Sequence, residues 1–190
     1  MNRKPGLIIV GAGGHGRVCA DIALKMDQWD TVAFLDDDPE LMTSMDIFII
    51  GTTHDVERFI PHYDVFVALG DNELRKDVQS KLEGLGANVP VLCHPRATIG
   101  QWVSVGSGSV IMAGSVINPC TTIGHGCIIN TGSTVDHDCV IGNFAHVSPG
   151  VHVAGSVRIG DATWLGIGSV VSNGLSITSQ CIVGAGAVVI

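Results

Sequence analysis

A histidine with an aspartate on each side is the clearest chemical feature of the sequence. His137 lies in the run Thr134-Val135-Asp136-His137-Asp138. A carboxylate beside an imidazole can hold one ring nitrogen and raise the basicity of the other, and either Asp136 or Asp138 could do this. Further along the chain, the backbone N–H of Gly155 is a candidate donor to a developing oxyanion. The sequence therefore predicts a general base at His137 and an oxyanion donor at Gly155.

A glycine-rich turn near the start of the chain could bind phosphate. The run Gly11-Ala12-Gly13-Gly14-His15-Gly16 follows an apolar stretch and precedes a helix-like one. Backbone N–H groups of such a turn point at oxyanions, and the helix dipole adds to the attraction. Asp36 follows 20 residues after Gly16, so Asp36 or Asp37 is expected to accept hydrogen bonds from a base or ribose. The short domain favours a diphosphate-linked ligand over a dinucleotide, and a turn that only packs helix on strand is the structural alternative.

The remaining histidines and the cysteines give weaker signals. The histidines of the second half fit no standard ligand spacing, so no metal is expected, although a trimer could bring histidines together. His125 and His152 are interpreted as surface residues. The six cysteines form no C-x-x-C pair and are interpreted as reduced, small apolar side chains. Cys139 could in principle carry an acyl group, but its register indicates a core position.

An aliphatic residue recurs at every sixth position through the second half. The period runs from Ile99 to Val189 without a slip. It fits a triangular solenoid in which three such units make one coil, and this should stack Val135 between Ile117 and Val153. Small residues two positions earlier should lie inside, and the Gly or Asn that often follows the aliphatic residue should supply the positive φ of the corners.

The same stacking should place His137 on the outer surface near a corner, with Gly155 one coil above it. Since no long loop leaves the repeat, an active site must be built on the coil surface and completed by a neighbouring subunit. A solenoid without enzymatic function is the alternative.

The first half alternates strands and helices, which predicts a small parallel sheet. Strands are expected at 7–10, 32–35, 65–69 and 89–92, and helices at about 17–26 and 73–85. The predicted domains are 1–92, an α/β domain that contains the glycine-rich turn, and 93–190, the solenoid.

Composition excludes two classes of partner. The formal net charge is −8 and no run of Lys or Arg stands out, so nucleic-acid binding is not expected. No apolar stretch is long enough to span a bilayer. The opening segment is too short in its apolar run for a signal peptide, and a cytoplasmic protein is expected.

Taken together, the motifs resemble the NeuD/PglD-type sugar acyltransferases of the hexapeptide-repeat superfamily. The resemblance covers nearly the whole chain and implies a Rossmann-like domain that binds a UDP-linked amino sugar, followed by a left-handed parallel β-helix. It also implies a homotrimer with acetyl-CoA between adjacent solenoids. It is carried by Gly11–Gly16, Phe34-Leu35-Asp36-Asp37, Leu69–Lys76, Asn130-Thr131, His137–Gly142 and His146-Val147-Ser148.

The resemblance assigns roles to individual residues. His137 is the implied base, and Asp138 stands where the family often has the longer Glu. The implied contacts of acetyl-CoA and of the sugar nucleotide are spread over both domains. They are His146 and the Gly155 amide at the thioester; Ile167 and Ala185 along the pantetheine; Gly14, His15, Asp36 and Asp37 at the UDP; and Asn130 near the sugar.

The activity implied is acetyl transfer from acetyl-CoA to the 4-amino group of a UDP-4-amino-4,6-dideoxy sugar, in glycan or surface polysaccharide synthesis. O-acetylation of a sialic acid, as in the NeuD branch, is the enzymatic alternative. A non-catalytic nucleotide-sugar-binding or scaffold protein is the alternative outside enzymes. The sequence stops at Ile190 without the closing segment usual in that family, which leaves open the contacts to the far end of CoA.

Overall fold

The computed structural model describes residues 5–190. Residues 1–4 lie outside the described residues. They are the start of the opening segment, for which no signal peptide was expected. Contacts divide the chain into two compact units between Leu92 and Cys93, and each unit is described by itself.

The N-terminal unit is built on a three-stranded parallel sheet in the order β2-β1-β5. Strand β1 (Leu7–Val10) pairs with β2 (Val32–Leu35) on one side and β5 (Asp64–Val67) on the other. All four residues of β1 and of β5 are buried, as expected for strands covered on both faces. The expected parallel sheet is confirmed.

Two helices follow strands of this sheet. Helix α1 (Gly14–Met26) follows β1, and helix α2 (Asn72–Gly84) follows β5, with the Asp71 carboxylate accepting the Leu74 N–H as its N-cap. Helix α1 begins three residues before the expected start because the glycine turn itself forms its first turn, with Arg17 N–H donating to the Gly13 carbonyl.

Three details of this unit differ from the expectations or were missed. No strand forms over residues 89–91, where Pro90 lacks the N–H that a central strand needs; the short strand here is Leu92–Cys93, which joins a solenoid sheet. The hairpin of β3 (Thr43–Ser44) and β4 (Ile47–Phe48) was not anticipated, and neither was the 3₁₀ helix Thr53–Arg58.

The C-terminal unit is a parallel β-solenoid with three sheets, one along each side of a triangular prism. The first sheet holds six strands: Leu92–Cys93, Val110–Ile111, Ile128–Ile129, His146–Val147, Trp164–Leu165 and Ile182–Val183. The second holds six: Thr98–Ile99, Val116–Ile117, Thr134–Val135, His152–Val153, Val170–Val171 and Val188–Val189. The third holds five: Ser104–Val105, Thr122–Ile123, Val140–Ile141, Arg158–Ile159 and Ser176–Ile177.

The predicted stacking of one coil on the next is confirmed. Val135 pairs with Ile117 on one side and with Val153 on the other. The aliphatic residues of the central coils point inward and form one continuous apolar core, in which Ile117, Val135 and Leu165 have no exposed surface. Burial of this column is the main stabilising contribution to the solenoid.

Small residues two positions before the inward aliphatic residue also lie inside, as expected. Their polar atoms do more than leave room for a turn, because many of them donate a hydrogen bond to the corner carbonyl of the next coil. Ser109 Oγ donates to the Gly124 carbonyl at 2.8 Å, and Cys127 Sγ to the Gly142 carbonyl at 3.0 Å. These bonds tie each corner to the coil before it.

The expected location of the positive φ angles was wrong. Positive φ occurs three residues after the inward aliphatic residue, for example at Gly132 and Asp138, and not at the residue directly after it. The glycines that directly follow are needed for a different reason, since neighbouring coils approach them closely. A Cβ on Gly142 would lie 2.6 Å from the Asp161 nitrogen and 2.7 Å from the Gly160 carbonyl carbon.

Over residues 5–190, neither helix combines the length and the apolar character that crossing a bilayer requires.

Candidate active site

His137 lies at a corner of the prism, on the outside. The imidazole Nδ1 is 2.8 Å from Asp138 Oδ2, and both side chains are more than half exposed. Asp138 has a φ of 57°, a left-handed conformation that Asp tolerates better than most residues. The Asp138 carboxylate lies beside the ring of the preceding residue. Residues 136–138, with residues 154–156 one coil further on, are called the His137 corner.

The two aspartates of this corner have different partners. Asp138 bonds the imidazole, whereas Asp136 Oδ1 accepts the His137 backbone N–H at 2.9 Å and the Asn118 side-chain amide at 2.7 Å. The hydrogen bond that the imidazole donates to Asp138 and, secondly, the charge of Asp136 raise the pKa of His137. The bonds from His137 N–H and Asn118 lower the pKa of Asp136, so this carboxylate stays ionised.

Gly155 is placed directly against the imidazole. A Cβ at this residue would lie 2.7 Å from His137 Nε2 and 2.8 Å from Cε1. The imidazole ring therefore lies against the Gly155 backbone, and Gly155 itself is buried. The Gly155 N–H has no hydrogen-bond partner within the part of the chain that the structure describes. A backbone N–H without a partner and a basic nitrogen are the two groups that acyl transfer to an amine requires.

His146 lies on a side of the prism, in the first sheet of the solenoid. Its ring is 5.9 Å from the Trp164 ring, nearly parallel to it, and Asn130 Nδ2 is 3.2 Å from His146 Nε2. Trp164 Nε1 donates to Ser148 Oγ at 2.8 Å, which fixes the indole. These side chains come from successive coils and form one wall of a cleft.

This cleft, called the His146 cleft, has a volume of about 430 Å³ and a mainly apolar lining. Ile167 and Ile182 expose 58% and 76% of their surface, so their side chains are available to a ligand. Ala185 and Gly184 supply a stretch of bare backbone. An extended, partly apolar chain such as pantetheine fits these properties. The lining is His146, Ser148, Pro149, Trp164, Gly166, Ile167, Ile182, Val183, Gly184 and Ala185.

Within the solenoid, the residues expected at the site thus form two groups. The His137 corner holds His137, Asp138 and Gly155. The His146 cleft holds His146, Ile167 and Ala185, with Asn130 bonded to its edge. Gly155, expected among the acetyl-CoA contacts, lies with the base and not with the cleft.

In the N-terminal unit, the glycines of the phosphate-type turn differ in what surrounds them. A Cβ at Gly16 would be 1.9 Å from the Gly11 carbonyl oxygen, so Gly16 is required by the fold. A Cβ at Gly13 or Gly14 would meet nothing within 4 Å. The start of α1 is therefore open, and its amides can be approached by a ligand.

Asp36 and Asp37 both help to build the loops around this turn. Asp36 Oδ2 accepts the Ala12 N–H at 2.7 Å and ties the turn to the end of β2. Asp37 accepts the N–H and the hydroxyl of Thr53, bonds that lower the pKa of Asp37. Asp37 also lines a cavity of about 280 Å³ together with His54 and Lys81. An ionised carboxylate with unused lone pairs in such a cavity can accept from a ribose or a base.

His15 is set into the base of the turn. Burial and, secondly, the charge of Arg75 lower the pKa of His15 to about 4. His15 is therefore neutral at physiological pH and can contact a diphosphate only as a hydrogen-bonding group. Arg75 has 1% exposure and donates to the Leu69 and Gly70 carbonyls, which fixes the loop before α2.

Three residues of these sites were not anticipated from the sequence: Asn118, Trp164 and Arg75. A signal for the first two exists, since Asn118 precedes Asp136 by one coil of the repeat and Trp164 follows His146 by one coil. Arg75 lies in a helix among exposed charged residues, and nothing in the sequence marks it as buried. Over the described residues, no group of three or more His, Cys, Asp or Glu side chains could hold a metal ion.

Comparison with solved structures decides the family. The acetyltransferase domain of PglB from Neisseria gonorrhoeae FA1090 superimposes with a TM-score of 0.95 and 37% sequence identity. The match covers 100% of this chain and 92% of that domain. The chain belongs to the PglD-type acyltransferase family. The family model for the PglD N-terminal domain matches residues 6–82, the part that contains the glycine turn and both aspartates.

Other similar proteins have been solved with bound ligands or have a named activity. The same PglB domain has been solved with acetyl coenzyme A (34% identity, 98% of this chain and 93% of that chain, TM-score 0.93). PerB from Caulobacter crescentus, in complex with CoA and GDP-perosamine, is 35% identical over 97% of this chain and 88% of that chain, with a TM-score of 0.91.

A curated relative, the UDP-N-acetylbacillosamine N-acetyltransferase of Bacillus subtilis (strain 168), is 34% identical over 109 residues. That alignment covers 55% of this chain and 50% of the relative, so the matched segment spans half of the relative's length.

Proposed function

We propose that this chain is an acetyl-CoA-dependent N-acetyltransferase that acts on the amino group of a nucleotide-linked amino sugar, with a UDP-4-amino-4,6-dideoxy sugar as the acceptor. The observation that carries this proposal is the His137 corner. There, a carboxylate holds one imidazole nitrogen, and the ring lies against Gly155, whose backbone N–H has no partner among the described residues.

The reaction follows from these positions. His137 Nε2 takes a proton from the amine as the amine nitrogen attacks the thioester carbonyl carbon, and the N–C bond forms. The negative charge that develops on the carbonyl oxygen is stabilised by the Gly155 N–H. The C–S bond then breaks, and the protonated imidazole returns the proton to the departing CoA thiolate. Asp138 keeps the imidazole in the tautomer with its proton on Nδ1 and stabilises the imidazolium.

A second part of the proposal is that the site is shared between copies of the chain. The His137 corner and the His146 cleft occupy different parts of one prism, so a thioester bound in the cleft is reached by a base from an adjacent copy. A homotrimer satisfies this requirement, because a closed ring of three prisms pairs each cleft with one corner. His146, Ile167 and Ala185 would then bind the pantetheine arm, and Asn130 would contact the sugar.

The N-terminal unit would hold the nucleotide. The open amides at Gly14 and neutral His15 are available to the diphosphate, and Asp36 or Asp37 to the ribose or base. The relatives include one enzyme named for a UDP-sugar and one solved with a GDP-sugar, so both nucleotides belong in the test. A role in glycan or surface polysaccharide synthesis, in the cytoplasm, completes the proposal.

The deciding experiment is an acetyl-transfer assay with the purified chain, in which release of free CoA thiol is followed over a panel of acceptors. We expect turnover with a UDP-linked 4-amino sugar. Replacing His137 by Ala should lower kcat by about 10²–10⁴-fold, the usual contribution of a general base. Turnover with free sialic acid alone would establish the O-acetyltransferase instead. Tight binding of the sugar nucleotide with no thiol release would establish a non-catalytic binding protein.

The assembly is tested separately by light scattering of the same preparation. A molecule that is fully active as a single copy would contradict the shared site.

A further inference from the structure

Behind the edge of the prism that bears the His137 corner, the interior side-chain donors among the described residues lie one coil before each of the two coils that form the corner. The interior residues behind this edge follow one another from coil to coil. Two of them carry a side-chain donor, and the remainder are apolar. They are Val103, Thr121, Cys139, Val157 and Leu175.

Each of these two donors holds one carbonyl of the corner. Thr121 Oγ1 donates to the Asp136 carbonyl at 2.7 Å. Cys139 Sγ donates to the Ala154 carbonyl at 3.2 Å. Both donors are completely buried, and they also contact each other, since the Cys139 N–H donates to Thr121 Oγ1.

These two carbonyls belong to the peptide groups that precede the reacting residues. A trans peptide is planar, and its C=O and N–H point in opposite directions. Because the Ala154 carbonyl points into the prism toward Cys139, the Gly155 N–H points outward, to the side where the imidazole lies. In the same way, the Asp136 carbonyl points inward to Thr121, and the His137 N–H points outward to Asp136 Oδ1.

The thiol of Cys139 remains a donor under ordinary conditions. Burial raises the pKa of Cys139, so the sulfur keeps its proton at neutral pH. Its Sγ atom also accepts the Val157 N–H at 3.4 Å, which fixes the rotation of the side chain. A completely buried, protonated thiol is a poor nucleophile, so its placement suits a donor and not an acyl carrier.

We propose that Cys139 and Thr121 are positioning residues for acetyl transfer: from inside the prism, they fix the two peptide planes that aim the Gly155 N–H at the oxyanion and hold His137 at its corner. The inference rests on the proposed function for its kinetic consequences, and on the geometry alone for the orientation of the amide. Neither residue touches substrate.

The test of Cys139 uses a matched pair of variants. Cys127 has the same register and donates to the Gly142 carbonyl in the same way, at a corner that carries none of the reacting groups. Cys139→Ala and Cys127→Ala should therefore lower the melting temperature by similar amounts. Only Cys139→Ala should lower kcat. Complete loss of an oxyanion donor costs about 10²–10³-fold, and here the Gly155 N–H is still present but less well directed, so we expect a smaller loss of about tenfold. The KM of Cys139→Ala for the amino sugar should stay within about twofold of the wild-type value.

Rescue separates positioning from packing. Cys139→Ser restores a donor of the kind that Ser109 and Ser115 use at their own corners, and it should recover most of kcat. Thr121→Val keeps the shape of the side chain and removes the donor. It should move the acid limb of the kcat/KM pH profile to lower pH, because a less firmly held Asp136 raises the pKa of His137 less.

An NMR measurement keeps this inference separate from the proposed function. With ¹⁵N-glycine labelling, the Gly155 amide resonance should shift or broaden in Cys139→Ala and stay in place in Cys127→Ala. An unchanged Gly155 resonance would overturn the inference even if the wild-type chain turned over no acceptor. Equal kcat losses in the two alanine variants would overturn it as well. If the wild-type chain turns over no acceptor but the Gly155 resonance shifts in Cys139→Ala, the proposed enzymatic function is rejected. The inference that Cys139 orients the Gly155 amide would then still stand.

Discussion

Replacing Gly155 by Ala tests the geometry of the site with one methyl group. The new Cβ would lie 2.7 Å from His137 Nε2 and 2.8 Å from Cε1, whereas ordinary contacts between such atoms are about 3.5–4.0 Å. The Gly155 backbone cannot move easily, because its carbonyl accepts the Gly174 N–H of the next coil at 2.9 Å. The imidazole is exposed and will move instead, by about 1 Å.

A displacement of about 1 Å at a catalytic group costs about 10²-fold in rate, and we expect a loss of that size in kcat. The Gly155 N–H is kept in this variant, so the loss reports on His137 and not on the oxyanion donor. The fold should be unaffected, since the ring that moves is already 58% exposed on the surface.

The assay is steady-state thiol release with saturating acetyl-CoA, accompanied by a thermal melt. Gly84→Ala is the control, because a Cβ at the end of α2 would meet nothing within 4 Å. It should leave kcat unchanged and should hold or slightly raise the melting temperature, since Ala favours the helix. A kcat of Gly155→Ala within threefold of wild type would refute the placement of the imidazole on Gly155.

Four further substitutions address the other parts of the site. Asp138→Asn removes the largest cause of the raised pKa of His137, so the acid limb of the kcat/KM pH profile should move down toward 6.5; a limb that does not move contradicts the assignment. Gly14→Ala should weaken nucleotide-sugar binding about tenfold, measured by calorimetry, without changing the melting temperature. In Gly16→Ala the new Cβ would be forced against the Gly11 carbonyl, so this variant should lower the melting temperature by about 5 °C or more. Trp164→Ala should raise the Kd for CoA about tenfold and leave the pH profile of the reaction unchanged. If this variant binds CoA as tightly as the wild type does, the His146 cleft is not the CoA site.

The period of the sequence determined most of the fold. A six-residue aliphatic repeat is a local pattern, and in a solenoid each coil contacts only its neighbours, so stacking such as Val135 between Ile117 and Val153 follows directly. The strands of the N-terminal sheet were also predictable, because strands such as Leu7–Val10 and Val32–Leu35 are continuous apolar runs. The same period brought His137 and Gly155 together, since they are one coil apart.

Only the tertiary structure decided how the polar groups are used. The residues alone left open whether Asp136 or Asp138 supports the imidazole. The left-handed backbone at Asp138 and the Asn118 amide on Asp136 give each carboxylate a different partner. The direction of a peptide plane likewise depends on a donor from the preceding coil, as in the bond from Cys139 to the carbonyl before Gly155. A repeat specifies which side chains point inward, because that depends on position within one coil. It does not specify hydrogen-bond partners, which depend on rotamers and peptide orientations that are fixed only when the coils are stacked.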